Sequence, residues 1–212
     1  MNIEVAVHER MAESGSSLLR IMQNNSMPVL DLFVRESIQN SLDASVRKDG
    51  HVTVKFETGY FDSKDLNRHF DKVEEKLNEN NPPGKYKYVS VTDMNTSGLT
   101  GPLHLDYVED YDYGNLLKLI YEISMPQTKE GAGGSWGLGK TVYFRLGIGI
   151  VIYYSRIRNS DGKYELRLAA SMVEDQTSEK SVIPSVGKLK RGIAWWGKSC
   201  GENKTIPLTD GS

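Results

Sequence analysis

The sequence predicts a single α/β domain, and three observations carry that class. Apolar side chains at Leu30, Val34, Ile38, Leu42 and Val46 recur at helical spacing and give residues 32–44 a helix with an apolar back. Residues 51–60 and 86–92 alternate in period two, as half-buried strands do. Residues 147–158 and 163–172 flank Asn159-Ser-Asp-Gly162, whose composition is that of a hairpin turn.

With 212 residues the chain can fold around one full core, or at most form a domain and a fragment. Hydrophobic content of 38% and charged content of 25% fit an ordinary globular protein. A net charge of −2 argues against a nucleic-acid footprint over the whole surface. The basic cluster Lys188-Leu-Lys190-Arg191 reads as a solvated turn. One cysteine, Cys200, excludes an internal disulfide and a thiolate zinc site, and fits a reducing compartment. No apolar run reaches about 18 residues and no basic-then-apolar leader opens the chain, so the expected location is cytoplasmic, without membrane contact.

In order, residues 16–23 form a short helix behind Ser/Gly residues suited to a cap. His8-Glu9-Arg10 reads as a surface segment. Pro28 marks the start of the central helix and Asp49-Gly50 its closing turn. Residues 62–78 carry Leu66, Phe70, Val73 and Leu77 at helical spacing. A loop at 80–84 leads to the strand 86–92, which delivers Asp93 into a polar, glycine-punctuated turn, 93–101. Residues 102–133 are a long acidic, tyrosine-rich connection with a helix at 115–123, and connections of that length are commonly lids or disordered. Five glycines fall within residues 131–139, ahead of a short helix at 138–145. The tail, 173–212, is polar apart from Ile193-Ala-Trp195-Trp196.

Three stretches carry chemistry. On the central helix Glu36, Asn40 and Asp43 lie within an arc of roughly 60°. An amide oxygen is a hard ligand suited to magnesium, and a carboxylate can take a proton from water. The plain alternative is a solvated helix face. Asp93, just past a strand, can accept a hydrogen bond from an exocyclic amine such as that of adenine; otherwise it is a turn former. Glycines at 131–139 let backbone N–H groups converge on phosphate oxygens, reinforced by the N-terminus of the following helix. Gly134-x4-Gly139-Lys140-Thr141 also matches the P-loop pattern, but that motif needs a buried strand before it and a long helix after it. Neither is predicted here.

Taken together, Glu36-x3-Asn40-Ser-Leu-Asp43-Ala44, Asp93-x4-Gly98-Leu99 and Gly134-Ser135-Trp136-Gly137-Leu138-Gly139-Lys140-Thr141 resemble the N-box and the two glycine boxes of the GHKL superfamily. That superfamily comprises gyrase-type topoisomerases, the large heat-shock chaperones, histidine kinases and MutL. The resemblance spans about residues 15–172, with the N-box in its MutL-like form. It implies a two-layer α/β sandwich of the Bergerat type, a mixed sheet with helices on one face. The strands expected in that sheet are 52–58, 86–92, 147–158 and 163–172. The resemblance further implies ATP and Mg2+ as ligands. Asn40 is then the magnesium ligand, Glu36 the general base, Asp93 the adenine reader, and Asp43 a support for the pocket. Gly98, with Leu99, approaches the base; the residues from Gly134 to Thr141 hold the phosphates; and 99–133 form the ATP lid.

Two departures stand out. The first glycine box is one residue longer than usual, with Asn95 and Thr96 where a glycine is expected. A Gly-Thr pair leading into a final strand is not visible, so the chain is expected to be the N-terminal part of a longer protein. The resemblance predicts magnesium-dependent ATP binding and slow hydrolysis, driving a conformational change or an ATP-dependent homodimer with a further C-terminal domain or partner. The alternative is a non-hydrolysing regulatory nucleotide-binding module. A MutL- or topoisomerase-like action on DNA is less favoured, because the net charge gives nucleic acid no electrostatic support.

Overall fold

A computed structural model describes residues 1–7, 14–23, 27–46, 50–110, 112–121, 138–159 and 161–210, with the backbone alone at 21–23 and 138–140. The segment His8-Glu9-Arg10 and the turn residue Asp49 lie outside the described residues. In chain order the elements are β1 (Asn2–Val5), α1 (Gly15–Gln23), α2 (Val29–Asp43), β2 (Thr53–Asp62), α3 (Ser63–Asn67), α4 (Glu74–Asn80) and β3 (Lys85–Met94). Then follow α5 (Gly114–Ile120), α6 (Leu138–Arg145), β4 (Ile150–Arg158), β5 (Tyr164–Val173), β6 (Ile193–Gly201), β7 (Lys204–Ile206) and β8 (Leu208–Thr209).

The protein is α/β, with antiparallel sheets. The hairpin read at 159–162 forms: Gly162 takes φ 76°, its N–H donates to Asn159 O at 3.0 Å, and Lys163 N–H donates to Asn159 Oδ1 at 2.9 Å. The resulting β4–β5 pair belongs to a six-stranded sheet ordered β1-β6-β5-β4, with β7 on β6 and β8 on β5. The antiparallel pair β2–β3, joined through α3 and α4, forms a separate two-stranded sheet. The expectation of one mixed sheet is therefore corrected on two counts: the four expected strands divide between two sheets, and every pairing among the described residues is antiparallel.

Four of the six strands of the larger sheet come from places where no strand was expected. β6 lies between β1 and β5 with a packed cluster on each of its faces, and its sequence opens as the unbroken apolar run Ile193-Ala-Trp195-Trp196. A central strand of that kind has no period-two signature. Successive side chains of a strand point to opposite faces. Trp195 accordingly joins Ile193, Val173, Ala169 and Tyr153 beneath Leu18, Leu116, Leu117, Ile120 and Phe144 from α1, α5 and α6. Trp196 joins Ile3, Val5, Ala170, Met172 and Ala194 against Phe70, Val73, Leu77, Val182 and Ile183. Two adjacent tryptophans thus require cover on both sides, and the expected placement of helices on one face does not hold.

The expected helix 62–78 is broken. Lys72 adopts a left-handed φ of 64° between α3 and α4. There the chain bends over Trp196, whose Nε1–H donates to Asp71 O at 3.3 Å and whose ring meets Phe70 edge-on at 5.3 Å. Within the long connection, Leu116, Leu117 and Ile120 are fully buried and Tyr121 stacks on Trp195 at 4.9 Å. Residues 99–110 and 112–121 of the expected lid are thus packed against the sheet, and 122–133 lie outside the described residues. Buried Glu4 joins the N-terminal strand to this connection: its carboxylate accepts Thr205 N–H at 2.6 Å and faces His104 Nε2 at 3.4 Å. His104 Nδ1 in turn accepts Asp106 N–H at 3.1 Å, so both ring nitrogens of this buried histidine have partners. No helix among the described residues is long and apolar enough to cross a membrane.

Trp196→Ala is expected to lower stability by about 3–5 kcal/mol in urea unfolding, since it removes a buried indole between two layers. A loss below about 1 kcal/mol would show that β6 is not central to the core.

Candidate functional site

α2 begins after Pro28, whose fixed φ suits the approach to a helix, and it runs to Asp43. It stops there because its last turn is claimed by another segment. Ser97 N–H donates to Ala44 O at 2.8 Å, Val46 N–H donates to Asn95 O at 3.4 Å, and Ser45 pairs antiparallel with Thr96. The end of α2 is therefore stitched to the turn that follows Asp93.

The helix sits with Phe33, Ser37 and Ser41 inward, not with its apolar stripe. Leu30, Ile38, Leu42 and Val46 are exposed, which corrects the expected buried back. Phe33 explains the choice: its ring meets Phe56 of β2 at 5.9 Å and Tyr143 of α6 at 5.7 Å, both edge-on. The helix is thereby wedged between the β2–β3 pair and α6, where Leu32, Phe33 and Val142 form a small core.

Around this wedge the polar groups converge. Asp93 Oδ2 shares the Ser41 Oγ–H with Ser37 O, at 3.1 and 2.9 Å, and Asp93 Oδ1 accepts Thr96 Oγ1–H at 3.0 Å, while Asp93 stays exposed. Asn40 Nδ2 donates to Tyr143 Oη at 3.0 Å, and Ser37 Oγ donates to the same oxygen at 3.4 Å. Glu36, with its side chain 20% exposed, pairs with Arg35 at 2.7 Å. Burial pushes the Tyr143 phenol above its ordinary pKa; the hydrogen bonds from Ser37 and Asn40 work against that, and the charges of Glu36 and Asp93 add to it. Asn40 thus meets the phenol directly, while Glu36 and Asp93 act on it through their charge. Asp43 is not brought into the group: it is exposed and accepts Gln39 Nε2–H at 2.8 Å along the outer side of the helix.

The turn after Asp93 is held rigidly. Asn95, where a glycine was expected, adopts a left-handed φ of 66° that asparagine tolerates, with its Nδ2 on His51 O at 3.0 Å. Gly98 has φ 67°, and a Cβ there would come within 2.6 Å of Ser155 Oγ. The open side of this glycine is thus filled by β4. Leu99 N–H donates to Ser155 Oγ at 3.0 Å, and Asn115 Nδ2 donates to Gly98 O at 3.0 Å. Buried Arg167 binds Leu99 O and Gly101 O, each at 2.8 Å.

Gly134, Ser135, Trp136 and Gly137 lie outside the described residues. Leu138, Gly139 and Lys140 open α6, Thr141 is buried, and α6 packs on α2, so the end of the glycine run reaches the same wedge. α6 spans only 8 residues before β4, and no parallel strand pair occurs among the described residues, which opposes a P-loop. Among the described residues no group of three His, Cys, Asp or Glu side chains could hold a metal. A cation here would need few protein ligands, with ligand oxygens and water completing the shell, as magnesium prefers. Asn40 fits that demand, because its Nδ2 is anchored while its Oδ1 accepts no hydrogen bond among the described residues.

Ser37, Ser41 and Tyr143 carry no signal of a functional role in the sequence. Ser37 and Ser41 are four apart and share a face with Asn40, but hydrophobic periodicity does not register small polar residues. Gly98→Ala is expected to cost about 1–2 kcal/mol, through positive φ and the Ser155 contact, and an unchanged urea midpoint would contradict this. Tyr143 contributes stability fully below the unfolded phenol pKa of about 10; that contribution declines as pH rises from there through the raised folded value. Tyr143→Phe should accordingly flatten the alkaline fall in stability, measured by denaturation between pH 9 and 11, and an identical slope would refute the assignment. Compared with protein-family models, curated proteins and solved structures, the chain finds no match.

Proposed function

We propose that the chain is a magnesium-dependent ATP-binding domain of GHKL type that hydrolyses ATP slowly, its sandwich departing from the Bergerat pattern in the all-antiparallel sheets of the described residues and the second layer behind Trp196. The observation that carries this reading is the hydrogen bond from Ser41 to Asp93. It joins the second sequence constellation to the first, beside Asn40 and Glu36.

Asp93 reads the adenine. Each carboxylate oxygen already holds one hydroxyl donor, and each keeps a lone-pair site for the exocyclic amine. Asn40 would hold magnesium through its Oδ1, and the ion would supply charge neutralisation to the phosphates. The backbone from Gly134 to Gly139, with Lys140, holds those phosphates. Glu36 takes the proton of the attacking water as its oxygen bonds to the γ-phosphorus; the bond from that phosphorus to the β-phosphate oxygen breaks, and ADP leaves. Asp43 lies outside the reacting centre. Nucleotide state then drives a conformational change or a homodimer acting with a further domain or partner in the cytoplasm, a reducing compartment that a lone cysteine fits.

A second reading, a non-hydrolysing regulatory module, is favoured by one contact: Glu36 is engaged by Arg35 at 2.7 Å. Isothermal titration with Mg-ATP and a phosphate-release assay separate the two. Asp93→Asn is expected to weaken Mg-ATP at least tenfold, and a change below twofold would remove Asp93 from the site. Glu36→Ala should keep the affinity and abolish phosphate release. Release by Glu36→Ala at the wild-type rate would exclude Glu36 as the base, and no release by the wild type would favour the regulatory module.

A further inference from the structure

Tyr143 spans the gap from α6 to α2. Its oxygen accepts from Asn40 Nδ2 at 3.0 Å and from Ser37 Oγ at 3.4 Å, and its ring is fixed against Phe33 at 5.7 Å and 85°. An asparagine amide is nearly symmetric in shape but not in chemistry: the NH2 end only donates and the carbonyl end only accepts. An acceptor fixed beside one end therefore decides which way the amide faces. Because Ser37 also donates to the phenol, both lone-pair positions of that oxygen are filled by α2. With its oxygen receiving both donors the phenol holds the NH2 end of Asn40, and Oδ1 is left facing away from Tyr143.

We propose that Tyr143 is a positioning residue that locks the Asn40 amide with its oxygen presented to a divalent cation carried by the bound nucleotide. Without the lock the amide can rotate and present its NH2, which repels a cation. Ser37 supports the lock by holding the phenol oxygen from the adjoining turn of α2. This inference rests on the magnesium-ATP reading of the site, and it assigns Tyr143 no contact with the reacting atoms. Groups that orient a metal ligand commonly change metal affinity by about 10- to 100-fold.

The test compares ATP binding with magnesium and with excess EDTA by isothermal titration, with adenosine as a probe of the base site alone. In Tyr143→Phe the magnesium-dependent gain in ATP affinity should fall about tenfold, while adenosine affinity stays within twofold of wild type. Asn40→Ala should remove the gain, and adding Tyr143→Phe to it should change nothing further. A readout free of nucleotide comes from nitrogen NMR of the wild type, in which the Asn40 side-chain NH2 should exchange slowly with water. A fast-exchanging NH2 overturns the proposal, as does an equal magnesium gain in wild type and Tyr143→Phe. Parallel loss of adenosine and Mg-ATP binding also overturns it, because that marks a general structural role. A wild type that binds neither ATP nor adenosine would end the ATP reading itself, whereas a wild type with a magnesium gain that Tyr143→Phe retains would end only this inference.

Discussion

The C-terminal end of α2 is hydrogen-bonded to the turn after Asp93, and the geometry of the candidate site depends on that join. Ala44 O accepts both Ser97 N–H and Ser97 Oγ–H, and Ser45 pairs with Thr96. These bonds use carbonyls and amides that a helix end leaves without partners. They fix the rotation and depth of α2 relative to β3. Ser41 is then placed on Asp93, and Asn40 and Ser37 on Tyr143.

The larger sheet supplies the frame for this join. β4 fills the open side of Gly98 through Ser155, and β5 sends Arg167 to the carbonyls of Leu99 and Gly101. The turn that presents Asp93 is thus held by α2 on one side and by two strands on the other. The strands are in turn fixed by β6, whose adjacent tryptophans anchor opposite layers. A polar loop acquires a definite shape here because nearly every group it offers is bonded to a buried scaffold.

Much of this was legible in the sequence. The helix 29–43, the two strands of the β2–β3 pair and the β4–β5 turn all follow from patterns within about ten residues of chain. Glu36, Asn40 and Asp93 stood out by chemistry and spacing, and the fold brings them together. The tail was not legible, because β6 is apolar on both faces and lacks alternation, and β1 is only 4 residues long. The break at Lys72 was not legible either, because it is imposed by Trp196, more than a hundred residues away in the chain.

By itself the sequence determined which segments are helix or strand and which residues can carry charge, bind an amine or face a phosphate. Local propensity and short-range periodicity encode those properties without reference to the rest of the chain. Tertiary structure alone decided that α2 turns Phe33, Ser37 and Ser41 inward and leaves Ile38 and Leu42 exposed. It also decided that Asp43 faces outward and that Tyr143 meets Asn40. A helix with polar and apolar groups on several sides has more than one way to be buried, and only its neighbours from distant parts of the chain select among them.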